Sequence, residues 1–295
     1  MILFILPQLS GGGAERVFIN LVIELHQRDR SVNLVVFDKK GPLLHLIPDE
    51  IKIYDLGTKK LRKSVIPLIR FIHKHKPNVV FSTFGYINIL LLAVRWALPN
   101  NTKIWLREAN LPSLSLPNNP NPSLMNFLYR KFYQKSDKLV CTSNKMKNEL
   151  ITNYSVPSSI INILPNPVNV EEIKSLAAPI KIFDMGGVCF VCSGRLTYQK
   201  GFDRLLLWFS KIDNHLSTLV IIGDGDLKHE LMQKSVDLNI QHRVNFVGFC
   251  DNPWKWYAGA DAFLLPSRWE GMPNSVLESL ACGTLVIATA EAGGI

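Results

Sequence analysis

Short apolar runs alternate along the chain with longer segments in which apolar residues recur every three or four positions. Residues 2–6 form a continuous apolar run typical of a buried strand, and residues 14–27 have the spacing of an amphipathic helix. Such alternation favours parallel α/β sheets covered by helices. The same pattern predicts further strands at residues 31–37, 79–82, 103–106 and 138–141, and helices at 64–75, 123–135 and 143–151.

The alternation is interrupted at residues 162–169, where Pro165 and Pro167 cannot continue a regular helix. We place an interdomain linker there, which divides the 295 residues into a first domain at 1–168 and a second at 169–295. Within the second domain the pattern predicts strands at 188–192, 218–222, 243–246, 262–265 and 285–288, and helices at 202–212, 227–238, 253–257 and 275–282.

The final segment, Glu291-Ala-Gly-Gly-Ile295, is typical of a loop that follows a strand. An open parallel sheet needs helices on both faces. We therefore expect the second domain to be incomplete at its C-terminus, with its last strand–helix round missing.

Charge is distributed unevenly between the two predicted domains. Residues 1–170 contain 22 Lys and Arg against 10 Asp and Glu, whereas residues 171–295 contain 11 against 14. A basic first half indicates an anionic partner, such as nucleic acid, anionic lipid or a phosphorylated acceptor, or else a solvated basic surface. Because no helix-turn-helix, zinc finger or aromatic RNA-binding motif accompanies this charge, nucleic acid is not the expected partner.

The five cysteines predict neither a disulfide framework nor a metal site. Their number is odd and their positions are scattered. Cys189 and Cys192 lie in one predicted strand, where residues three apart face opposite sides. The N-terminal apolar run lacks the features of a signal peptide, and the run before Arg95 is too short to span a bilayer. We expect a cytoplasmic protein, with the inner face of the membrane as a candidate contact.

A glycine-rich loop, Ser10-Gly-Gly-Gly-Ala-Glu-Arg16, joins the first strand to the first helix. The backbone N–H groups of Gly12 and Gly13 could approach an anion at the N-terminus of that helix. The loop matches neither the P-loop nor the G-x-G-x-x-G pattern. A tight strand–helix turn is the alternative interpretation.

A second loop, Ser193-Gly-Arg-Leu-Thr-Tyr-Gln-Lys-Gly201, follows the first strand of the second domain. Arg195 offers a bidentate fork and Lys200 a point charge, a combination suited to a diphosphate. Doubly wound sheets bind their ligands at the carboxyl ends of strands, which is where this loop lies. Two solvated surface cations are the alternative.

Two carboxylates occur eight residues apart in the segment Ser267-Arg-Trp-Glu-Gly-Met-Pro-Asn-Ser-Val-Leu-Glu278. We expect Glu270 in a loop, Glu278 one turn into the next helix, and Asn274 or Ser275 as its cap. The free N–H groups of that helix could meet a phosphate, while the carboxylates accept hydrogen bonds from sugar hydroxyls. Acidic residues near a helix start are also common for dipole reasons alone.

In combination these motifs resemble the GT-B glycosyltransferases of family 4, retaining transferases related to bacterial polysaccharide and lipopolysaccharide enzymes. The resemblance covers essentially the whole chain and implies two Rossmann-like domains. Asn166-Pro-Val168 resembles the segment leading into the family's linker, and Ala281-Cys-Gly-Thr-Leu-Val286 its Ala-x-Gly-x-Pro-Val stretch, with Thr284 and Leu285 in place of the usual residues. The other motifs that carry it are Gly11-Gly-Gly-Ala-Glu-Arg16, Gly194-Arg-Leu with Lys200-Gly201, Gly223-Asp-Gly225, and Glu270 with Glu278.

The resemblance implies a role for each matching position. Arg195 and Lys200 would hold the diphosphate of a nucleoside-diphosphate sugar, and Glu278 would contact the ribose hydroxyls. Glu270 would contact the donor sugar. The glycine loop of the first domain would close over the diphosphate, and the base would rest after a strand of the second domain. The further donor-binding positions are Gly12, Gly13, Phe249, Gly271, Met272, Pro273 and Asn274.

A third candidate group follows the strand predicted at residues 103–106. Family members often have a His or another polar residue there, and Arg107-Glu-Ala-Asn110 resembles a Glu-Arg-Asn variant with its order altered. Arg107, Glu108 and Asn110 are thus candidates near the reacting centre. Glu108 could instead be an ion-pair partner of Arg107.

The implied reaction is transfer from a UDP or GDP sugar with retention, through front-side attack. Arg195, Lys200 and a helix N-terminus could stabilise the leaving diphosphate, so no metal cofactor is expected. The basic segment at residues 58–76, with the helix predicted at 123–135, could rest on an anionic membrane that holds a lipid-linked acceptor. Ordinary amphipathic helices are the alternative for these segments. A truncated, inactive remnant of such an enzyme is the alternative for the whole chain.

Overall fold

The alternating pattern folds into two separate parallel sheets. The computed structural model describes residues 1–179 and 186–292, and the chain divides into one unit at Met1–Asn166 and another at Pro167–Ile295. The first sheet has the strand order β3-β2-β1-β4-β5-β6-β7. Its strands are β1 (Ile2–Leu6), β2 (Val32–Val36), β3 (Ile53–Asp55), β4 (Val79–Ser82), β5 (Lys103–Arg107), β6 (Lys138–Cys141) and β7 (Ile161–Ile163).

Helices cover the first sheet because successive residues of each strand face opposite sides. Leu3 and Ile5 of β1 pack into one core cluster, and Phe4 and Leu6 pack into the other. The helices of this unit are α1 (Gly13–Gln27), α2 (Leu61–His75), α3 (Gly85–Ala93), α4 (Pro112–Ser115), α5 (Pro122–Phe132) and α6 (Asn144–Tyr154). Apolar residues of α2, α3, α5 and α6 share the first cluster, and those of α1 belong to the second.

The second sheet repeats the arrangement with five parallel strands in the order β10-β9-β8-β11-β12. Chain order reverses at β8, the point where doubly wound sheets open a crevice for ligands. Its strands are β8 (Cys189–Ser193), β9 (Thr218–Ile222), β10 (Val244–Gly248), β11 (Ala262–Leu265) and β12 (Leu285–Ala288). Its helices are α7 (Val170–Leu176), α8 (Phe202–Phe209), α9 (Lys228–Asp237), α10 (Trp254–Ala258) and α11 (Asn274–Ala281).

The prediction of two Rossmann-like α/β domains is confirmed, with several local corrections. The linker predicted at residues 162–169 is wrong at its start, because β7 includes residues 162 and 163 and pairs with β6. The prediction also missed β3, α3, α4 and α7. Helix α3 is apolar on nearly all sides and largely buried, so it has no amphipathic period to reveal it.

Two further predictions, one about the start of α11 and one about the C-terminus of the chain, have different outcomes. The cap predicted for α11 is wrong, because Pro273 occupies the N-cap position and both Asn274 and Ser275 lie inside the helix. The incomplete C-terminus stays a prediction, and part of the segment on which it was based, residues 293–295, lies outside the described residues.

Candidate active site

The centre of the candidate site is a contact between two residues that lie 70 positions apart in the sequence. Lys200, in the loop after β8, donates a hydrogen bond to Oε1 of Glu270, in the loop after β11, at 2.6 Å. The two loops meet because β8 and β11 are neighbouring parallel strands whose carboxyl ends share one edge of the sheet. Two residues predicted separately, one for a phosphate and one for a sugar, therefore form one charged cluster.

Glu270 is almost fully buried, at 4% exposure, and its carboxylate has a second partner. Ser267 donates its hydroxyl to the same Oε1 at 2.6 Å. A buried carboxylate needs such partners, because an unpaired charge in the interior is strongly destabilising. Sequence reasoning missed Ser267, although its place in the same loop as Glu270 was a usable signal.

The backbone of the two loops comes so close that a side chain would not fit at Gly201. This glycine has a φ of 65°, and a Cβ atom built on it would lie 2.1 Å from the carbonyl oxygen of Pro266. Gly194 faces the methylene groups of Lys200, with 3.2 Å between its ideal Cβ position and Lys200 Cδ. The glycines of the Gly194-Arg-Leu and Lys200-Gly201 motifs thus allow the close packing that places Lys200 on Glu270.

The other predicted donor-binding residues of the second unit lie around the carboxyl ends of its strands. Arg195 is exposed in the loop after β8, and Glu278 is half-buried in the second turn of α11. Phe249 directly follows β10 and is 41% exposed. Of the four predicted donor-binding positions that follow Glu270, Gly271 and Pro273 are buried, and Met272 and Asn274 are half-buried.

In the first unit, the glycine loop joins β1 to α1 as predicted. Gly12 is the N-cap residue of α1 in an extended conformation, Gly13 begins the helix, and Gly11 has a φ of 87°. Ser10 donates its hydroxyl to Glu15 Oε1 at 2.8 Å, and Glu15 is buried. Glu15, in the first turn of α1, therefore anchors Ser10 at the start of the glycine loop.

Arg107, a predicted catalytic candidate, ends β5 with its guanidinium buried. It donates to Thr83 Oγ1 at 2.9 Å and to Asn166 Oδ1 at 2.6 Å. Burial lowers the pKa of Arg107 to about 10, and the neighbouring charge of Glu108 partly opposes this shift. Arg107 therefore links β5 to the last residue of the first unit.

Glu108, the second catalytic candidate, faces a pair of stacked tyrosines. Tyr133 and Tyr129 donate their hydroxyls to Glu108 Oε2 at 2.8 and 3.2 Å, and the two rings lie 4.0 Å apart. Burial raises the pKa of Glu108 to about 7, although both hydrogen bonds and Arg107 act to lower it. Arg107 and Glu108 thus bind different partners, and Asn110 is half-buried two residues further on.

The described part of the chain has neither a cluster of metal ligands nor a helix that could span a membrane. Among residues 1–179 and 186–292, no group of three or more His, Cys, Asp or Glu side chains could hold a metal ion. Within the same ranges, each helix is too short or too polar to cross a bilayer.

The fold and the charged cluster define a protein with two Rossmann-like units that carries a candidate anion- and sugar-binding site. The family described as Glycosyltransferase Family 4 matches residues 11–172, and the family described as Glycosyl transferases group 1 matches residues 179–295. The chain therefore belongs to glycosyltransferase family 4, which makes it a transferase by family and confirms the family inferred from the motifs.

Named relatives are bacterial and archaeal. A Campylobacter jejuni N-acetylgalactosamine-N,N'-diacetylbacillosaminyl-diphospho-undecaprenol 4-alpha-N-acetylgalactosaminyltransferase is 31% identical over 97% of this chain and 80% of its own length. An uncharacterised glycosyltransferase of Methanocaldococcus jannaschii is 28% identical over 78% of this chain, which spans 60% of that relative's length. Among solved structures, Anabaena HepE in complex with UDP and glucose has a TM-score of 0.75 at 18% identity, covering 99% of this chain and 81% of its own.

The close loop contact gives a prediction for Gly201→Ala. The variant should lose more unfolding free energy than Gly283→Ala, because both glycines have positive φ values but only Gly201 faces an oxygen 2.1 Å from the new Cβ. The backbone conformation alone costs about 1–2 kcal/mol in either variant. Denaturant unfolding with a probe in the second unit measures the difference, and equal losses would contradict the contact.

The burial of Glu108 gives a prediction for pH. The pKa of Glu108 rises from 4.5 to about 7 on folding, so between these values the folded protein holds a proton that the unfolded chain has lost. The stabilisation of the fold by this proton is fully present below pH 4.5 and is lost as pH rises through 7. A shift of this size corresponds to about 3 kcal/mol. Glu108→Gln should therefore flatten the decline in stability of the first unit between pH 5 and pH 8.

Denaturant unfolding of wild type and Glu108→Gln at several pH values measures this effect. Glu24→Gln is the control, because Glu24 is an exposed partner of Arg28 and lies on α1. If the Glu108 and Glu24 variants have the same pH dependence as wild type, the buried carboxyl does not titrate as inferred.

Proposed function

We propose that this chain transfers a sugar from a nucleoside-diphosphate sugar to a glycan or lipid-linked acceptor, with retention of anomeric configuration, in surface polysaccharide or lipopolysaccharide synthesis. The observation that carries the proposal is the Lys200–Glu270 cluster at the carboxyl edge of the second sheet. It combines a cation for phosphate with a carboxylate for sugar hydroxyls at the edge where doubly wound sheets bind ligands.

Departure of the nucleoside diphosphate is the step that these residues would assist. Negative charge grows on the diphosphate as the glycosidic bond breaks, and preorganised donors stabilise that charge best. Arg195 and Lys200 would supply cations, and the N-terminus of α11 would supply backbone N–H groups, because its N-cap residue Pro273 offers no side-chain bond to them. We propose that the reaction needs no metal cofactor.

Glu270 and Glu278 would hold the rest of the donor. Glu270 lies next to Lys200, so a sugar bound to this carboxylate would have its phosphate close to the cation. Glu278, four residues after the start of α11, would accept hydrogen bonds from the ribose hydroxyls. Phe249 would offer an apolar surface to the base, and Gly12 and Gly13 would approach the diphosphate.

Two similar proteins support the choice of donor and acceptor. HepE was solved with UDP and glucose, which supports a nucleotide-sugar donor for a chain of the same fold. The Campylobacter relative is named for an α-linked transfer to a diphospho-undecaprenol saccharide, which supports a lipid-linked acceptor and retention from the usual α-configured donors. We propose Arg107, Glu108 and Asn110 as the residues of the first unit nearest the acceptor, with retention achieved by front-side attack.

The first unit has a surface suited to an anionic membrane that would hold such an acceptor. Residues 56–136 contain 13 Lys and Arg and one acid, Glu108. Of these, Arg107 and Glu108 are buried, and Arg95 pairs with Asp137. Helices α2 and α5 pack on the same side of the sheet, and we call the surface formed by their outer sides the basic face. Exposed apolar side chains accompany its cations, among them Ile66, Leu124 and Phe127.

The donor assignment predicts weaker nucleotide-sugar binding in Lys200→Met and Glu278→Gln. Loss of one charged hydrogen-bond partner should weaken affinity roughly 10- to 100-fold, as expected for a free energy of about 1.5–3 kcal/mol. Lys228→Met is the control, because Lys228 is a cation of the same unit that pairs with Asp224. Calorimetric titration with a panel of UDP and GDP sugars measures the dissociation constants.

The same titration separates the proposal from its alternative. Unchanged affinity in both variants would contradict the roles of Lys200 and Glu278. If wild type binds no donor and no donor raises its melting temperature, the chain is the inactive remnant that its sequence also suggested.

The basic face predicts binding to vesicles that contain anionic lipid. Lys131→Glu with Lys135→Glu should reduce co-sedimentation with phosphatidylglycerol vesicles at least about tenfold, since each lysine near such a surface contributes about 1 kcal/mol. The control is Lys39→Glu with Lys40→Glu, which changes the net charge of the protein by the same amount. These two lysines lie in the loop that follows β2, so the basic face stays intact. Equal losses in both pairs, or equal wild-type binding to neutral vesicles, would contradict a specific membrane face.

A further inference from the structure

A second set of contacts joins the loops after β8 and β11, beside the Lys200–Glu270 pair. The backbone N–H of Arg268 donates to the carbonyl of Gln199 at 2.8 Å. In return, the side-chain amide of Gln199 donates to the carbonyl of Trp269 at 3.0 Å. The residue before Lys200 is thus bonded to both residues that precede Glu270.

The Arg268 side chain extends this connection to the start of α8. Its Nη1 and Nη2 donate to Oδ1 and Oδ2 of Asp203 at 2.8 and 2.7 Å, a bidentate pair. Both side chains are largely shielded from solvent, at 16% and 28% exposure, so the pair is screened less than an exposed one. The hydrogen bonds from Arg268 lower the pKa of Asp203 despite its partial burial.

The same guanidinium also holds Tyr198. Nη1 of Arg268 donates to the carbonyl of Tyr198 at 2.7 Å, and its Cζ lies 3.9 Å from the centre of the tyrosine ring. A planar guanidinium can stack on a ring and form a fork with a carboxylate at the same time, which an ammonium group cannot do.

These contacts fix the chain on both sides of Lys200. Tyr198 lies two residues before it and Asp203 three residues after it, and one side chain of the opposite loop binds both. We infer that Arg268 is a positioning residue that locks the loop after β8 onto the loop after β11, and so fixes the distance between Lys200 and Glu270. Neither Arg268 nor Asp203 has a role in the donor-binding scheme above.

The lock preorganises the site before any ligand arrives. A long lysine side chain loses rotational freedom when it binds, so an anchored backbone lowers the entropy that must be lost on donor binding. Beyond the fully buried Leu196 at its start, the part of the loop around Lys200 offers few apolar anchors, because Tyr198 is 58% exposed and Gly201 has no side chain. Without the guanidinium, the loop should open locally while the rest of the second unit stays folded.

Limited trypsin digestion tests the lock without relying on donor binding. Cleavage after Lys200 requires this loop to open, whereas cleavage after Lys234 reports opening of α9 in the same unit. We expect Arg268→Ala and Asp203→Asn to raise the rate of cleavage after Lys200, relative to that after Lys234, about tenfold. Arg268→Lys should give an intermediate ratio, because it keeps the charge and loses the fork.

Lys211→Ala is the matched control, because it removes an exposed cation of the same unit that lies outside both this loop and α9. A ratio in Arg268→Ala no higher than in this control overturns the lock. Because the ratio compares two sites in one molecule, it stays informative if a variant loses overall stability.

A second measurement connects the lock to the proposed function, on which this part alone rests. Titration with UDP and with GDP should show about tenfold weaker binding of the favoured nucleotide in Arg268→Ala and unchanged binding in Lys211→Ala. A raised digestion ratio with unchanged nucleotide affinity would support the lock and contradict the assignment of this loop to the donor.

Discussion

The second unit depends on the adjacency of β8 and β11 at the point where its strand order reverses. Two segments 70 residues apart meet only because these strands pair, and the contact is tight enough to require glycine at position 201. Lys200 and Glu270 then neutralise each other in a largely buried setting. Removal of Lys200 would leave the buried carboxylate of Glu270 without an opposite charge, and breaking a buried ion pair in this way costs roughly 3–5 kcal/mol. The candidate site is therefore also an element of the unit's stability, and donor affinity in variants has meaning only beside their unfolding free energy.

The first unit places its candidate residues differently. Arg107 and Glu108 lie at the carboxyl end of β5 in a buried polar network with Thr83, Asn166 and two tyrosines. Their bonds satisfy groups that would otherwise destabilise the interior. Any role of these residues near the reacting centre would therefore be exerted from a fixed position. Arg107 would act through Asn166, the last residue of the first unit, to which it donates a hydrogen bond. Glu108 would act through its raised pKa of about 7, which lets it carry a proton at neutral pH.

The alternating pattern predicted the doubly wound architecture because most helices bury one face and most strands are short, predominantly apolar runs. It failed at α3, which is buried on nearly all sides, and at α11, where Pro273 takes the cap position that polar side chains usually fill. The motifs placed Lys200 and Glu270 in the right loops. Their direct contact could not be predicted, because it depends on which strands pair and on rotamers that sequence spacing does not determine. Asp203 and Arg268 were missed for the same reason, because each binds a partner that is distant in sequence. Ser267 is different, since it lies three residues from its partner Glu270 and its loop position was a usable signal.

The charges of the two loops determine what a diphosphate would need in order to bind beside Glu270. The carboxylate of Glu270 accepts bonds from Lys200 and Ser267, so the charges of Lys200 and Glu270 balance each other. A diphosphate adds negative charge beside this carboxylate, which would be unfavourable unless further positive groups approach it. Arg195, exposed in the same loop, and the N–H groups at the start of α11 are the candidates that we propose for this role. A loop locked by Arg268 would keep Lys200 near Glu270 during that change, so that its ammonium group could bind the phosphate while it still neutralises the buried carboxylate.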